Sequence, residues 1–151
     1  MYKQETSSAV HNRNSVELEL AQPEQLSHFV KFAATNIGAP EEWLTGYFGR
    51  LIDREELFGY WNEGELLATG ECRLFEEHQT AYADLGMIVA QSQRGKGIAT
   101  QVLTWLVNSA NERNLTPICS TESGNLGAQK AIKRAGLLPL NRILQIEFNH
   151  E

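Results

Sequence analysis

The chain has 151 residues, enough for one domain with a real core and too few for two ordinary ones. Its apolar fraction of 42% and charged fraction of 21% are those of a soluble globular protein, and no apolar run reaches the ~18 residues a membrane span needs. A net charge of −6 argues against wholesale nucleic-acid binding.

That charge is unevenly spread. Residues 1–93 carry 15 acidic and 6 basic side chains, and residues 94–151 carry 4 acidic and 7 basic. Local fields steer ligands by the sign of the nearby surface. A basic second half suits an anionic cofactor, and an acidic first half suits a cationic partner such as a protonated amine. Most single charges are equally well read as solvated helix faces. Residues 1–14 are polar, without the apolar stretch of a secretory signal, and read as a flexible arm before a domain over 15–151. Cys72 and Cys119 stand far apart without metal-ligand spacing. They fit a reducing cytoplasm, buried as small hydrophobes, and predict no metal site.

Residues 16–20 alternate and predict a strand. Pro23 suits the first turn of a helix whose Leu26, Phe29, Val30, Ala33 and Ile37 share one face, and Gly38 ends it. Pro40 opens a second helix, with Leu44, Tyr47, Phe48 and Leu51 turned inward. Residues 57–61, the turn Asn62-Glu63-Gly64 and residues 66–75 predict a β-hairpin. In its second arm Leu66, Ala68, Cys72 and Leu74 should take one face, and Thr69, Glu71 and Arg73 the other. Residues 81–89 predict a further strand. A helix over 97–112 places Ile98, Val102, Leu106 and Ala110 on one stripe. Residues 115–120 predict a short strand. A helix with Ala128, Ala131, Ile132 and Ala135 on one face follows, stopped by Gly136, and residues 142–148 alternate as a last strand. The order β-α-α-β-β-β-α-β-α-β predicts an α/β (α+β) domain. Its mixed central sheet has helices on both faces and parallel strands either side of the helix over 97–112. The last strand, as an edge, offers a route to a homodimer.

The stretch Arg94-Gly95-Lys96-Gly97-Ile98-Ala99 joins an apolar strand to an amphipathic helix. Its two glycines allow a tight turn that bares backbone N–H groups, and the helix adds four unpaired N–H groups and the positive end of its dipole. With Arg94 and Lys96 this makes a phosphate or pyrophosphate site. A nucleotide P-loop is excluded, because Gly97 stands where a Ser or Thr must follow the lysine. A dinucleotide fingerprint competes: Gly95 and Gly97 begin GxGxx, and Glu122 lies about 20 residues on. Against it, Thr100 takes the third glycine position, and five residues separate the strand from Gly95.

The run from Leu85 through Val89 to Gln93-Arg94-Gly95-Lys96-Gly97-Ile98-Ala99-Thr100 resembles the acyl-CoA signature of the GNAT N-acetyltransferase superfamily, Arg/Gln-x-x-Gly-x-Gly/Ala, met by Arg94, Gly97 and Ala99. Asn125, Ala128 and Gly136-Leu137 resemble the family's next block, and the element order matches its fold. The resemblance implies transfer of an acetyl group from acetyl-CoA to an amine. Backbone amides of Arg94, Gly95, Lys96, Gly97, Ile98 and Ala99 would hold the CoA pyrophosphate. The pantetheine arm would pair with Met87, Ile88 and Val89 like an added strand, where the parallel strands splay. The Val89 N–H would face the thioester oxygen. Asn125 would contact the pantetheine or thiol side, or simply cap its helix. Ala128 lies in the same block. Lys130, Lys133 and Arg134 would approach the adenosine phosphates, or sit as solvated charges. An alkylammonium of pKa ~10.4 must lose a proton before attack, which calls for a carboxylate. Asp84 aligns with an acidic residue common on this strand, although it also suits a structural partner for an arginine or backbone N–H. Glu122 is the second choice and Glu71 the third. One departure stands out: Ile132 occupies the place of the tyrosine that often protonates the leaving thiolate. The same chain as a non-catalytic acyl-CoA-binding module is the alternative reading.

Overall fold

The computed structural model describes residues 16–74 and 82–119, together with Arg134. The order is β1 (Glu19–Leu20), α1 (Leu26–Ile37), α2 (Glu41–Asp53), β2 (Leu57–Asn62), β3 (Glu65–Leu74), β4 (Tyr82–Val89), α3 (Ile98–Glu112) and β5 (Thr116–Cys119). The strands lie in sequence order in one sheet. Neighbours from β1 to β4 are antiparallel, and β4 and β5 are parallel because α3 carries the chain across. Among the described residues, no helix is long and apolar enough to cross a membrane.

Local chemistry sets the boundaries. A 3-10 turn over Pro23–Gln25 leads into α1, and Gly38 ends it at φ 75°, its N–H bonded to the Ala34 carbonyl at 3.0 Å. Glu41 and Glu42 in the first turn of α2 and Arg50 in its last complement the helix dipole. Glu63 at φ 53° and Gly64 at φ 82° turn β2 into β3, a left-handed pair that suits the twist of a hairpin.

Helices cover both faces. On one, Ile98, Val102, Leu103, Leu106, Val107 and Ala110 of α3 pack on Ala68, Cys72, Ala83, Leu85 and Val89. On the other, Phe29, Val30, Phe32 and Ala33 of α1 and Leu44, Phe48, Leu51 and Ile52 of α2 pack around Leu57 and Leu66.

Three expectations need correction. Leu66 does not share a face with Ala68 and Cys72 but belongs to the α1–α2 core. The pairing passes from Tyr60↔Ala68 to Trp61↔Leu66, so Leu67 is an extra residue in β3. One inserted residue inverts the alternation beyond it. Ile37 is 52% exposed, because α1 reaches its cap there, and Phe32 is buried instead. Regular strand near the start is confined to Glu19–Leu20, although Val16 and Leu18 are buried beside it. The arm over 1–14, the helix carrying Ala128, Ala131, Ile132 and Ala135, and the strand over 142–148 lie outside the described residues.

Candidate active site

The site begins on β4. β3 accompanies β4 along its whole length, from Leu74↔Ala83 to Ala68↔Val89, and β5 pairs with it from Tyr82↔Thr116 to Leu85↔Cys119, where the described part of β5 ends. The β3–β4 register is unbroken, and the next N–H, that of Ala90, reaches the Leu67 carbonyl at 2.9 Å. Alternation therefore turns the N–H and C=O of Met87 and Val89 away from β3, and Ile88 toward it. Among the described residues no strand pairs with that outer edge beyond Leu85. There the Val89 carbonyl accepts a bond from Arg94 Nε at 3.2 Å.

β4 runs from this edge into the glycine loop. After a 3-10 turn at Gln91–Gln93, Gly95 and Gly97 adopt φ 82° and 81°. Both lie in the left-handed region where a side chain is strained, and among the described residues, chain neighbours aside, no atom lies within 4 Å of where one would begin. Arg94, Gly95, Lys96 and Gly97 are exposed. Ile98 is buried and anchors the first turn of α3, and Ala99 is half-buried beside it. Gly97 caps α3 with no side-chain bond, so the helix presents its first N–H groups outward. An open, cationic, glycine-bared helix start fits a diphosphate. The turn is also tied to α1. The Gln91 N–H donates to Asn36 Oδ1 at 2.8 Å, and Asn36 Nδ2 donates to the Phe32 carbonyl at 2.8 Å. Asn36 lies 55 residues from its partner, and nothing in the local sequence marks it.

On the α1–α2 face lies a cluster of four polar side chains. Glu71 on β3 stands opposite Gly86, and Arg73 opposite Asp84. The Tyr47 hydroxyl, from α2, donates to Glu71 Oε1 at 2.5 Å and accepts from Arg73 Nη1 at 2.9 Å. Arg73 Nη1 lies 3.5 Å from Glu71 Oε1, and Nη2 lies 3.1 Å from Asp84 Oδ2. A methyl group on Gly86 would stand 3.4 Å from both Arg73 Nη2 and Glu71 Oε1, so the bare glycine leaves the cluster uncovered from above. Burial pushes the Glu71 carboxyl up, with Arg73 and the Tyr47 hydrogen bond working against it. Burial, then the Glu71 charge, raise the Tyr47 phenol well above its ordinary range. Burial opposes the Arg73 charge, yet Glu71 and Asp84 overcome it and hold its pKa up.

Met87, Ile88, Val89 and the residues from Arg94 to Ala99 thus form one continuous strip, and Asp84 and Glu71 share the face below it. Glu71, third in order of expectation, sits at the centre of the cluster, while Asp84 lies where β4 is still paired on both edges. Trp43 is 57% exposed and stacks on Tyr47 with centroids 4.9 Å apart. Tyr60 instead packs toward α3, and Trp61 packs on Phe29. Cys72 is buried, with Arg113 Nη2 donating to its Sγ at 3.0 Å, and Cys119 is half-buried. Arg134 is exposed. Glu122, Asn125, Ala128, Lys130, Ile132 and Lys133 lie outside the described residues.

A mixed sheet with helices on both faces, whose strand β4 leads into a glycine loop at a helix start, is the arrangement expected of the acyl-CoA transferase class that the loop motif resembles. Residues 20–137 match the acetyltransferase (GNAT) family, and the chain belongs to it. An acetyltransferase from the GNAT family of Colwellia psychrerythraea is 60% identical with a TM-score of 0.84, covering 91% of this chain and 50% of that one. The chain thus spans about half the length of that relative. The aminoglycoside acetyltransferase AAC(6')-Iy, solved with the bisubstrate analogue CoA-S-monomethyl-acetylneamine, is 15% identical with a TM-score of 0.70, covering 84% of this chain and 93% of that one. The ribosomal-protein-alanine N-acetyltransferase from Brucella melitensis is 18% identical with a TM-score of 0.65, covering 80% and 83%. At such identities these two share the fold. No curated protein matches the sequence.

Proposed function

We propose that this protein transfers an acetyl group from acetyl-CoA to an amine. The observation that carries the reading is the loop that β4 runs into: Gly95 and Gly97 take left-handed angles and leave the start of α3 exposed beside Arg94 and Lys96. The family membership and the bisubstrate analogue bound by AAC(6')-Iy support it.

Acetyl-CoA, when bound, supplies the activated acetyl thioester. The backbone N–H groups from Arg94 to Ala99 receive the diphosphate, with Arg94 and Lys96 adding charge. Met87 and Val89 pair with the amide groups of the pantetheine arm, and the Val89 N–H donates to the thioester oxygen as charge develops there. Asp84 takes one proton from the acceptor's ammonium, and a second proton from the nitrogen neutralises the leaving thiolate as the C–N bond forms and the C–S bond breaks. Glu122 stands second for the base, and Asn125, Ala128 and Lys130 belong to the cofactor side. The cluster of Tyr47, Glu71, Arg73 and Asp84 favours catalysis over a module that only binds acyl-CoA, because binding alone needs no ionised group on the face below β4. Cys72 and Cys119, far apart along the chain and without metal-ligand spacing, fit a cytoplasmic setting.

The test mixes the full chain with acetyl-CoA and a panel of amines and follows release of free thiol. Turnover with at least one amine is expected, together with calorimetric binding of CoA. CoA binding without turnover across the panel would leave only the binding module.

A further inference from the structure

The turn from α1 to α2 is anchored to the site at both of its ends. On the α1 side, Asn36 Oδ1 accepts the Gln91 N–H at 2.8 Å, at the entrance to the glycine loop. On the α2 side, the Tyr47 hydroxyl joins Glu71 and Arg73, and Glu71 stands opposite Gly86, next before the strip of β4 from Met87 to Val89. Residues 37–46 therefore span from the cofactor loop to the polar cluster. That short stretch holds the two large apolar side chains that are more than half exposed among the described residues, Ile37 at 52% and Trp43 at 57%. Single exposed apolar residues are ordinary, whereas two on one turn beside a reaction site make a surface for a ligand to cover.

Trp43 is fixed as well as exposed. It lies one turn before Tyr47 on α2, and the two rings stack with centroids 4.9 Å apart and 12° between their planes. Tyr47 is held in turn by its two hydrogen bonds, and it tilts against the fully buried Phe48 at 5.5 Å. One face of the indole is thus backed by a second ring. The indole is set before a ligand arrives, so docking on it costs little ordering.

We infer that Trp43 and Ile37 select the acceptor, by taking an aryl group that a short chain joins to the reacting amine. The inference rests on the acetyl-transfer reading above and deepens it by naming the acceptor's class. An aromatic ring stacks offset on the exposed side of an indole, and an aliphatic side chain packs against its rim. A second ammonium fits this surface less well. Glu41 and Glu42 share the first turn of α2 with Trp43, where the helix dipole already receives their charge. Ile37 offers a cation nothing to replace its water. The acceptor's reacting ammonium has its place at the thioester, and the rest of the molecule meets an apolar wall.

The kinetics use the full chain with acetyl-CoA and four amines: n-butylamine, benzylamine, 2-phenylethylamine and spermidine. At least one of the aryl amines should exceed n-butylamine in kcat/KM by about tenfold, from stacking and buried area together. Trp43→Ala should cut that preference to about twofold, and Trp43→Phe should keep most of it because a ring remains. Ile37→Ser should lower it by about threefold. A preference that Trp43→Ala leaves unchanged overturns the inference, whatever the variant does to stability. So does a wild-type preference for spermidine that Trp43→Ala abolishes, which would seat a second ammonium on the indole. A dimer in sedimentation that Trp43→Ala dissociates overturns it too, because a second copy would then cover the ring. A further measurement needs no turnover: calorimetric titration of the same amines into the chain saturated with CoA. Aryl amines that bind there through Trp43 but are not acetylated would sink the acetyl-transfer reading and leave the aryl subsite standing. Acetylation of n-butylamine with no aryl preference would do the reverse.

Discussion

β3 and β4 send two kinds of side chain to their two faces. Toward α3 go Ala68, Cys72, Ala83, Leu85 and Val89, all buried and all apolar or thiol. Toward α1 and α2 the same strands send Thr69, Glu71, Arg73 and Asp84, of which Thr69 and Glu71 are as buried as the core. Burial alone therefore does not separate scaffold from site in this sheet. What separates them is the chemistry that is buried, since an apolar layer gains from exclusion of water and an ionised group gains only when its partners replace that water. The α3 face holds the strands and the start of the glycine loop, and the α1–α2 face carries the polar cluster of Tyr47, Glu71, Arg73 and Asp84.

The contrast breaks most visibly at Leu106, which is fully buried on the α3 face. Leu106→Ala should cost about 3 kcal/mol of stability, the transfer term plus the cavity left behind. Urea unfolding measures it, and the acetyl-CoA affinity of the folded fraction should be unchanged, because no group of the loop is altered.

Arg73→Met makes the matching cut on the other face and should differ in kind. It takes the guanidinium from the buried Glu71, and the loss should be about 2 kcal/mol at pH 7.5, below the figure for a fully buried pair because Arg73 is 33% exposed. It should also depend on pH. The Glu71 carboxyl is already raised above 4.5 in the folded chain, and removing Arg73 raises it further. A raised acid contributes stability that is present below the unfolded value and is lost as pH rises through the folded one. Urea midpoints should therefore show the variant nearer to wild type at pH 5 than at pH 7.5. Leu106→Ala should show the same deficit at both, and a pH-independent loss in Arg73→Met would erase the distinction between the faces.

Much of the apolar face is legible in the sequence, because a helix stripe and an alternating strand are local patterns. Ile98, Val102, Leu106 and Ala110 are all buried as their spacing requires, and Gly38, Gly64 and Gly97 take the left-handed angles their places imply. The loop and the strip of β4 before it are readable for the same reason. The polar face is less so. Leu66 changes face because of an extra residue that only the pairing of β2 with β3 reveals. Glu71 ranks below Asp84 in any strand-by-strand reading, because its central place depends on a phenol 24 residues earlier on α2. Asn36 carries no signal at all, since a helix asparagine acquires its role only when the loop arrives beside it.

A smaller effect contrasts two glycines. Gly97→Ala should cost about 1 kcal/mol, all of it from the left-handed backbone, since the space around it is open. CoA affinity should fall with it. Gly49→Ala, in the middle of α2 and equally open, should stabilise by about 0.5 kcal/mol through helix propensity alone. Thermal melts of the two variants should move in opposite directions, and a shared sign would mean that the loop angle at Gly97 is not held by the fold.

The smallest expected effect joins the two faces. Asn36 sits on α1, beside the polar face, yet its Oδ1 holds the Gln91 N–H at the entrance to the glycine loop. Asn36→Ala removes that acceptor from a half-exposed site, where water can replace it, so the stability loss should stay near 0.5 kcal/mol. The functional loss should be larger in proportion. A loop released from α1 samples more conformations, and binding a diphosphate must then order it again, which weakens CoA binding by roughly threefold in calorimetry. Asn36→Asp keeps the acceptor oxygen and should restore most of the affinity at moderate salt. Equal CoA affinity in wild type and Asn36→Ala would mean that the loop holds its shape from α3 alone, and that the two faces meet only through the sheet.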